Sequence, residues 1–219
     1  MDRIDRVALL FILFFWLVCL MGHSHADITT APVDNVVRLT VPPGGSGTGF
    51  LLGDGRMITA KHVAERCDMA MVAQYSDGTI EIITASQITM SDTHDIAVIE
   101  VKRRGKLLTI FKGDLFIGYP IYTLSMPFHY DIRYGSVGVI GSERATIPGQ
   151  TTWRDVRMTD LHAVGGMSGG PVFNSDDEVV GIVVANAEVI VLIQDNKTIL
   201  EFLNGKQSES PKVKEVQGD

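Results

Sequence analysis

Gly165-Gly166-Met167-Ser168-Gly169-Gly170-Pro171-Val172 sets one hydroxyl in a run of glycines, just ahead of an apolar, strand-forming segment. Glycine reaches backbone conformations closed to other residues, so such a run reads as a tight loop. A carbonyl under nucleophilic attack passes its charge to oxygen, and converging backbone N–H groups stabilise that charge. A Gly-x-Ser-Gly-Gly loop lets the Gly166 and Ser168 N–H groups turn to one point without Cβ clashes. Gly169 and Gly170 leave space for an incoming backbone. Pro171 opens the next strand where no ladder donor is needed.

A free alcohol is a poor nucleophile at neutral pH, so the loop requires a base elsewhere in the chain. Working outward, Ile58-Thr59-Ala60-Lys61-His62-Val63 and His94-Asp95-Ile96-Ala97-Val98-Ile99 supply candidates. An imidazole suits proton acceptance and return, and a buried carboxylate fixes its tautomer and stabilises the imidazolium. Singly, each segment has an ordinary reading: a common turn, a core or surface histidine, a strand-start acid. Together they supply the three residue types that acyl transfer by a serine requires, in His62, Asp95 and Ser168. Asp92 is a competitor for the carboxylate role. The chemistry implies no cofactor, and His94, His129 and His162 lack metal-ligand spacing, so no metal is expected.

Around these segments the texture is uniform. Short apolar, β-branched runs at 36–41, 49–52, 57–60, 69–75, 79–83 and 96–101 alternate with Gly, Pro and Asp. The second half continues with 120–124, 136–140, 155–158, 171–173, 179–184 and 188–193. About a dozen short strands with turn signals between them predict an all-β barrel or sandwich fold. Residues 61–67 fit one helical turn, and 196–204 a short terminal helix with Asn196 near its N-cap and Gly205 as its stop.

The N-terminus has a different character. Arg3 and Arg6 precede an apolar run over 7–21, and Ser24-His25-Ala26 closes it. Fifteen residues span about 22 Å as a helix, short of a roughly 30 Å hydrocarbon core. The pattern predicts a secretory signal at 1–26, with a retained anchor as the other reading. Either implies an exported, secreted or periplasmic protein. Cleavage removes Cys19 and leaves Cys67 as the only thiol, which excludes a disulfide scaffold. The polar stretch 206–219 predicts a disordered tail. Of the 219 residues, 26 are acidic and 19 basic, a net charge of −7 that argues against nucleic acid as a partner. The expected partner is a polypeptide substrate, with membrane contact only if the N-terminal segment is retained.

These motifs resemble the chymotrypsin-fold, trypsin-like serine peptidases, and most of all their HtrA-type branch, whose His…Asp…Ser chain order they share. Gly45-Ser46-Gly47-Thr48-Gly49-Phe50 is similar to the family's glycine-rich strand entry, and Tyr134-Gly135-Ser136-Val137-Gly138-Val139-Ile140 to its T-x-G-x-V strand. Thr159-Asp160 is similar to its Q-T-D segment. The resemblance implies two packed six-stranded antiparallel barrels over 27–205, at about 35–107 and 112–203, with a break near 106–113. It implies His62 as general base, Asp95 as its orienter and Ser168 as nucleophile, with the Gly166 and Ser168 amides as oxyanion hole. The activity implied is serine endopeptidase, through an acyl-enzyme.

The chain also departs from the family. No Ile-Val-Gly-Gly start is present, so activation by a newly cut N-terminus is not expected, and the HtrA branch's usual PDZ module has no counterpart in the sequence. Met167 stands where a polar residue is usual. By analogy the substrate pocket is walled by His162, Val164, Gly165, Val184 and Ala185. Position 162 carries no acid, which predicts a small or medium apolar side chain rather than Lys or Arg at the cleaved bond. A second reading has His162 turned away to satisfy a loop hydrogen bond. Two other functions share the fold: a catalytically silent binding or scaffold protein, and a viral or phage processing peptidase.

Overall fold

The computed structural model describes residues 32–205, apart from 43, 68–69, 128–132 and 188. The expected leader (1–26), Cys19, His129 and the expected tail (206–219) lie outside the described residues. The strands form two curled antiparallel sheets. The first holds β1 (Val36–Val41), β2 (Gly45–Leu51), β3 (Arg56–Thr59), β4 (Ala70–Gln74), β5 (Ile80–Thr84), β6 (Ile88–Met90) and β7 (Ala97–Glu100), in the order β5-β4-β1-β2-β3-β7-β6. The second holds β8 (Pro120–Ser125), β9 (Tyr134–Val139), β10 (Val156–Thr159), β11 (Pro171–Phe173), β12 (Val179–Ala187) and β13 (Ile190–Asp195), in the order β10-β13-β12-β11-β8-β9.

The all-β double-barrel architecture read from the sequence holds, with one difference in count. The first sheet has seven strands rather than six. The addition is β6, three residues paired with Ala97–Ile99 of β7, in which only Ile88 packs on the core. A strand so short and so exposed leaves no apolar run to read. Among the described residues, two short α-helices complete the fold: α1 (Lys61–Ala64), and α2 (Asn196–Leu203), which is capped by the Asp195 carboxylate accepting the Thr198 N–H.

Successive strand residues face opposite sides, and three apolar clusters exploit this. Leu51 and Met57 fill the first sheet's interior, while their neighbours Phe50 and Ile58 turn to a cluster that draws on both sheets. On β12, Val180 and Val183 enter the second sheet's interior, whereas Val179, Ile182 and Val184 join the shared cluster. Strands buried on both faces read as unbroken apolar runs, which is why 179–184 shows no polar alternation. The connection between the sheets is sewn to each. Asn35 Nδ2 donates to the Leu51 and Lys106 carbonyls, Leu108 N–H to the Leu52 carbonyl, and Phe111 N–H to the Val179 carbonyl.

Candidate active site

His62 owes its position to a glycine. A Cβ on Gly47 would lie 2.5 Å from Val63 Cγ1, so its absence lets α1 rest directly on β2. Val63 and Ala64 are buried there, and His62, one residue earlier, is turned outward with 34% of its side chain exposed. Asp95 arrives from a turn that Ser91 organises: its Oγ accepts the Thr93 and His94 N–H groups, and its own N–H donates to the Ile96 carbonyl. Pairing of Thr59 with Ala97 then sets Asp95 beside α1.

The contact between them has two points. The His62 backbone N–H donates to Asp95 Oδ1 at 2.9 Å, and His62 Nδ1 meets Asp95 Oδ2 at 2.7 Å. Asp95 is 1% exposed, so water does not compete for either oxygen. A carboxylate only accepts, so Nδ1 carries the ring proton and Nε2 presents its lone pair. Asp92, by contrast, is exposed on the same turn.

The serine loop is fixed through its peptide planes. The plane after Gly166 is held at both ends: Thr48 Oγ1 donates to the Gly166 carbonyl at 2.7 Å, and Met167 N–H to the Val164 carbonyl at 3.2 Å. The plane after Ser168 is held likewise, by Thr48 N–H on the Ser168 carbonyl (2.8 Å) and by Gly169 N–H on the Val183 carbonyl (2.7 Å). Gly166 and Gly169 sit at φ +92° and +85°, conformations that favour glycine. Among the described residues no acceptor faces the Gly166 or Ser168 N–H, the two amides expected to bind an oxyanion. Nor does a hydrogen bond join the Ser168 hydroxyl to the His62 ring among the described residues. Such contacts are often long until substrate tightens them.

The serine loop nevertheless abuts the histidine segment. A Cβ on Gly169 would lie 2.2 Å from the Thr48 carbonyl oxygen and from Thr59 Oγ1, and 2.7 Å from Ala60 N, two residues before His62. Residues 47–182, more than half of the sequence, match the trypsin-like peptidase domain family. The chain belongs to that family.

Curated relatives carry the HtrA-type resemblance. The probable periplasmic DegP-like serine endoprotease of Halomonas elongata is 32% identical over 162 residues, covering 66% of this chain and 32% of that protein. Serine protease HTRA1 of Xenopus tropicalis is 30% identical over 146 residues, covering 64% and 31%. The chain thus spans about a third of the length of these relatives. Among solved structures, the HtrA-type protease AlgW with a tripeptide matches at TM-score 0.73 and 20% identity, covering 84% of this chain and 63% of that one. Deg5 matches at TM-score 0.66 and 19% identity, covering 80% and 90%. At these identities the structural likeness bears on the fold.

Within this trypsin-like domain, the expected pocket residues take varied positions. The His162 ring is exposed, with Nδ1 2.5 Å from the Tyr134 hydroxyl, and its N–H donates to Ser136 Oγ. Gly165 is exposed, Val164 half-buried, Ala185 half-buried, and the Val184 side chain enclosed in the shared cluster. Asn186 Nδ2 ties the end of β12 to the Ala163 carbonyl at 2.7 Å. Met167 is fully buried and its sulfur accepts the Val164 N–H, so the unusual residue before Ser168 packs inward. Lys61 pairs with Glu65 at 3.5 Å, and Cys67 is buried in the first sheet's core. In the sequence Thr48 and Thr59 carry no role of their own, and His94 stands only as a histidine without metal-ligand spacing. The one available signal was Thr48, a hydroxyl lodged in the glycine-rich strand entry.

Proposed function

We propose that the chain is an exported serine endopeptidase that works through an acyl-enzyme, with His62, Asp95 and Ser168 as catalytic residues. Ser168 Oγ bonds to the scissile carbonyl carbon as its proton passes to His62 Nε2. The carbonyl oxygen takes the negative charge and is met by the Gly166 and Ser168 N–H groups. The imidazolium, steadied by Asp95, then protonates the departing amine as the C–N bond breaks, and water repeats the sequence to free Ser168. The observation that carries the reading is the two-point hold of Asp95 on His62, which leaves Nε2 as the proton acceptor.

We assign substrate recognition to the surface formed by His162, Val164, Gly165 and Ala185, with the enclosed Val184 backing it. With no carboxylate at position 162, the expected preference is a small or medium apolar side chain. Arg3 and Arg6 ahead of the apolar 7–21 run support export, as do the relatives named periplasmic. The test is labelling with a fluorophosphonate, in which Ser168 Oγ displaces fluoride from phosphorus. Wild type is expected to label once per chain and Ser168→Ala not at all; labelling that survives the substitution refutes the nucleophile. Digestion of a mixed peptide library by the same protein tests the pocket, and dominant cleavage after Lys or Arg refutes it.

A further inference from the structure

We infer that Thr48 is a positioning residue whose hydroxyl aims the oxyanion-binding amides, a role that rests on the peptidase reading above. The register of the first sheet creates the opportunity. β3 ends with Thr59 opposite Gly49, so from Thr48 back to Gly45 the adjoining edge of β2 has no strand beside it. The serine loop docks on that open edge, with Thr48 N–H donating to the Ser168 carbonyl. Thr48 itself is fully buried, and its carbonyl accepts the Thr59 hydroxyl at 2.7 Å. Its backbone is therefore anchored on one side to the strand leading to His62 and on the other to the serine loop.

What the side chain adds is specific. Gly166 has no Cβ, so local sterics restrain its ψ little, and the peptide after it is free to pivot unless its ends are held. Met167 N–H holds one end on Val164; Thr48 Oγ1 holds the other. Without the hydroxyl, the Gly166 carbonyl loses that donor, the Gly166 Cα is no longer held from that side, and the N–H it bears in the preceding peptide can drift off the point it shares with Ser168. A residue of the same shape but without a donor would keep the packing and lose the aim. Thr48 touches neither substrate nor reacting atoms, and acts through Gly166.

The test compares wild type, Thr48→Val, Thr48→Ser and Thr48→Ala in fluorophosphonate labelling, separating the maximal rate from the half-saturating probe concentration. Loss of a whole oxyanion donor typically lowers turnover about 10²–10³-fold, and misaiming one is expected to lower the maximal labelling rate about 10- to 100-fold. That loss should appear in Thr48→Val and Thr48→Ala, with the half-saturating concentration little changed and labelling still reaching one per chain. Thr48→Ser, which keeps the donor, should stay within about threefold of wild type. If Thr48→Ser is as slow as the hydroxyl-free variants, packing rather than the hydroxyl sets the rate and the inference falls, even if Thr48→Val fails to fold. A labelling wild type matched in rate by Thr48→Val or Thr48→Ala overturns the inference alone. A wild type that never labels overturns the peptidase reading, and this inference with it.

Discussion

Replacing Asp95 by Asn tests the acid–base pair with little disturbance of shape. Both carboxylate oxygens accept from His62, one from the backbone N–H and one from Nδ1, and the backbone donor cannot be reversed. An asparagine must therefore turn its oxygen to the backbone N–H and its NH₂ to the ring. That places a donor against Nδ1, drives the ring proton to Nε2, and removes the lone pair needed to accept the Ser168 proton. The opposite flip restores the tautomer but sets the NH₂ against the His62 N–H, a buried donor–donor clash costing about 1–3 kcal/mol. This alone limits the competent fraction to roughly a fifth to a hundredth. Loss of the negative charge that steadies the imidazolium adds to it, and the same change in a Ser-His-Asp triad lowers turnover about 10⁴-fold. A drop of about 10³–10⁴ in labelling rate is expected, or about 4–5.4 kcal/mol of transition-state stabilisation. Because both hydrogen bonds survive in altered form, the melting temperature should move by only a few degrees. Asp92→Asn, on the exposed side of the same turn, should label like wild type. A folded Asp95→Asn variant within tenfold of wild type would refute the tautomer argument.

Two further substitutions probe the scaffold. Gly169→Ala puts a Cβ 2.2 Å from the Thr48 carbonyl oxygen at a φ of +85°. A left-handed conformation and backbone overlap together should destabilise by about 2–5 kcal/mol and end labelling, read by urea unfolding and the fluorophosphonate. A stable, reactive variant would show that the loop does not dock as described. Asp195, 1% exposed, accepts from Arg144 at 2.8 and 2.9 Å and from Arg157 at 3.0 Å while capping α2. Asp195→Asn should therefore lose about 3 kcal/mol at pH 7. Burial by itself would raise the Asp195 carboxyl, but the Arg144 hydrogen bond and charge, aided by Arg157 and the Thr198 N–H, outweigh it and hold the group below its ordinary 3.8. A lowered folded value means the unfolded chain binds the proton more readily. The stabilisation is therefore complete above that ordinary value and fades as the pH falls from there through the folded one. Urea midpoints taken from pH 7 down to pH 3 should converge between wild type and Asp195→Asn; parallel curves would contradict the sign.

Legibility in the sequence followed the physics of each feature. His62, Asp95 and the serine loop stood out because their chemistry demands particular residue types, and two of the three segments run into apolar strands. By its apolar run β2 is legible over 49–52, and only the family resemblance reaches back to its start at Gly45, because alternating glycines lower β-propensity while permitting the close approach of Val63. The N-cap of α2 is legible to within a residue, near Asn196, and Asp195 fills it; that the same carboxylate serves two arginines distant in sequence is not legible. Thr48 was hidden for a related reason. A threonine in a strand looks like ordinary packing until the register shows that the neighbouring strand has stopped short.

That register also explains how the site is divided. The histidine and the aspartate belong to one sheet, and their contact follows from pairing between β3 and β7 together with a side-chain grip. Ser168 belongs to the other sheet, and what binds its loop to the first is Thr48, through its N–H on the Ser168 carbonyl and its hydroxyl on the Gly166 carbonyl, with Gly169 fitted against the ends of β2 and β3. The proposed acid–base pair is thus a feature of the first sheet alone, whereas the alignment of the proposed nucleophile and oxyanion amides depends on the serine loop's seat on an open strand edge. On this division, damage to the docked edge should silence the nucleophile while leaving the His62–Asp95 pair intact.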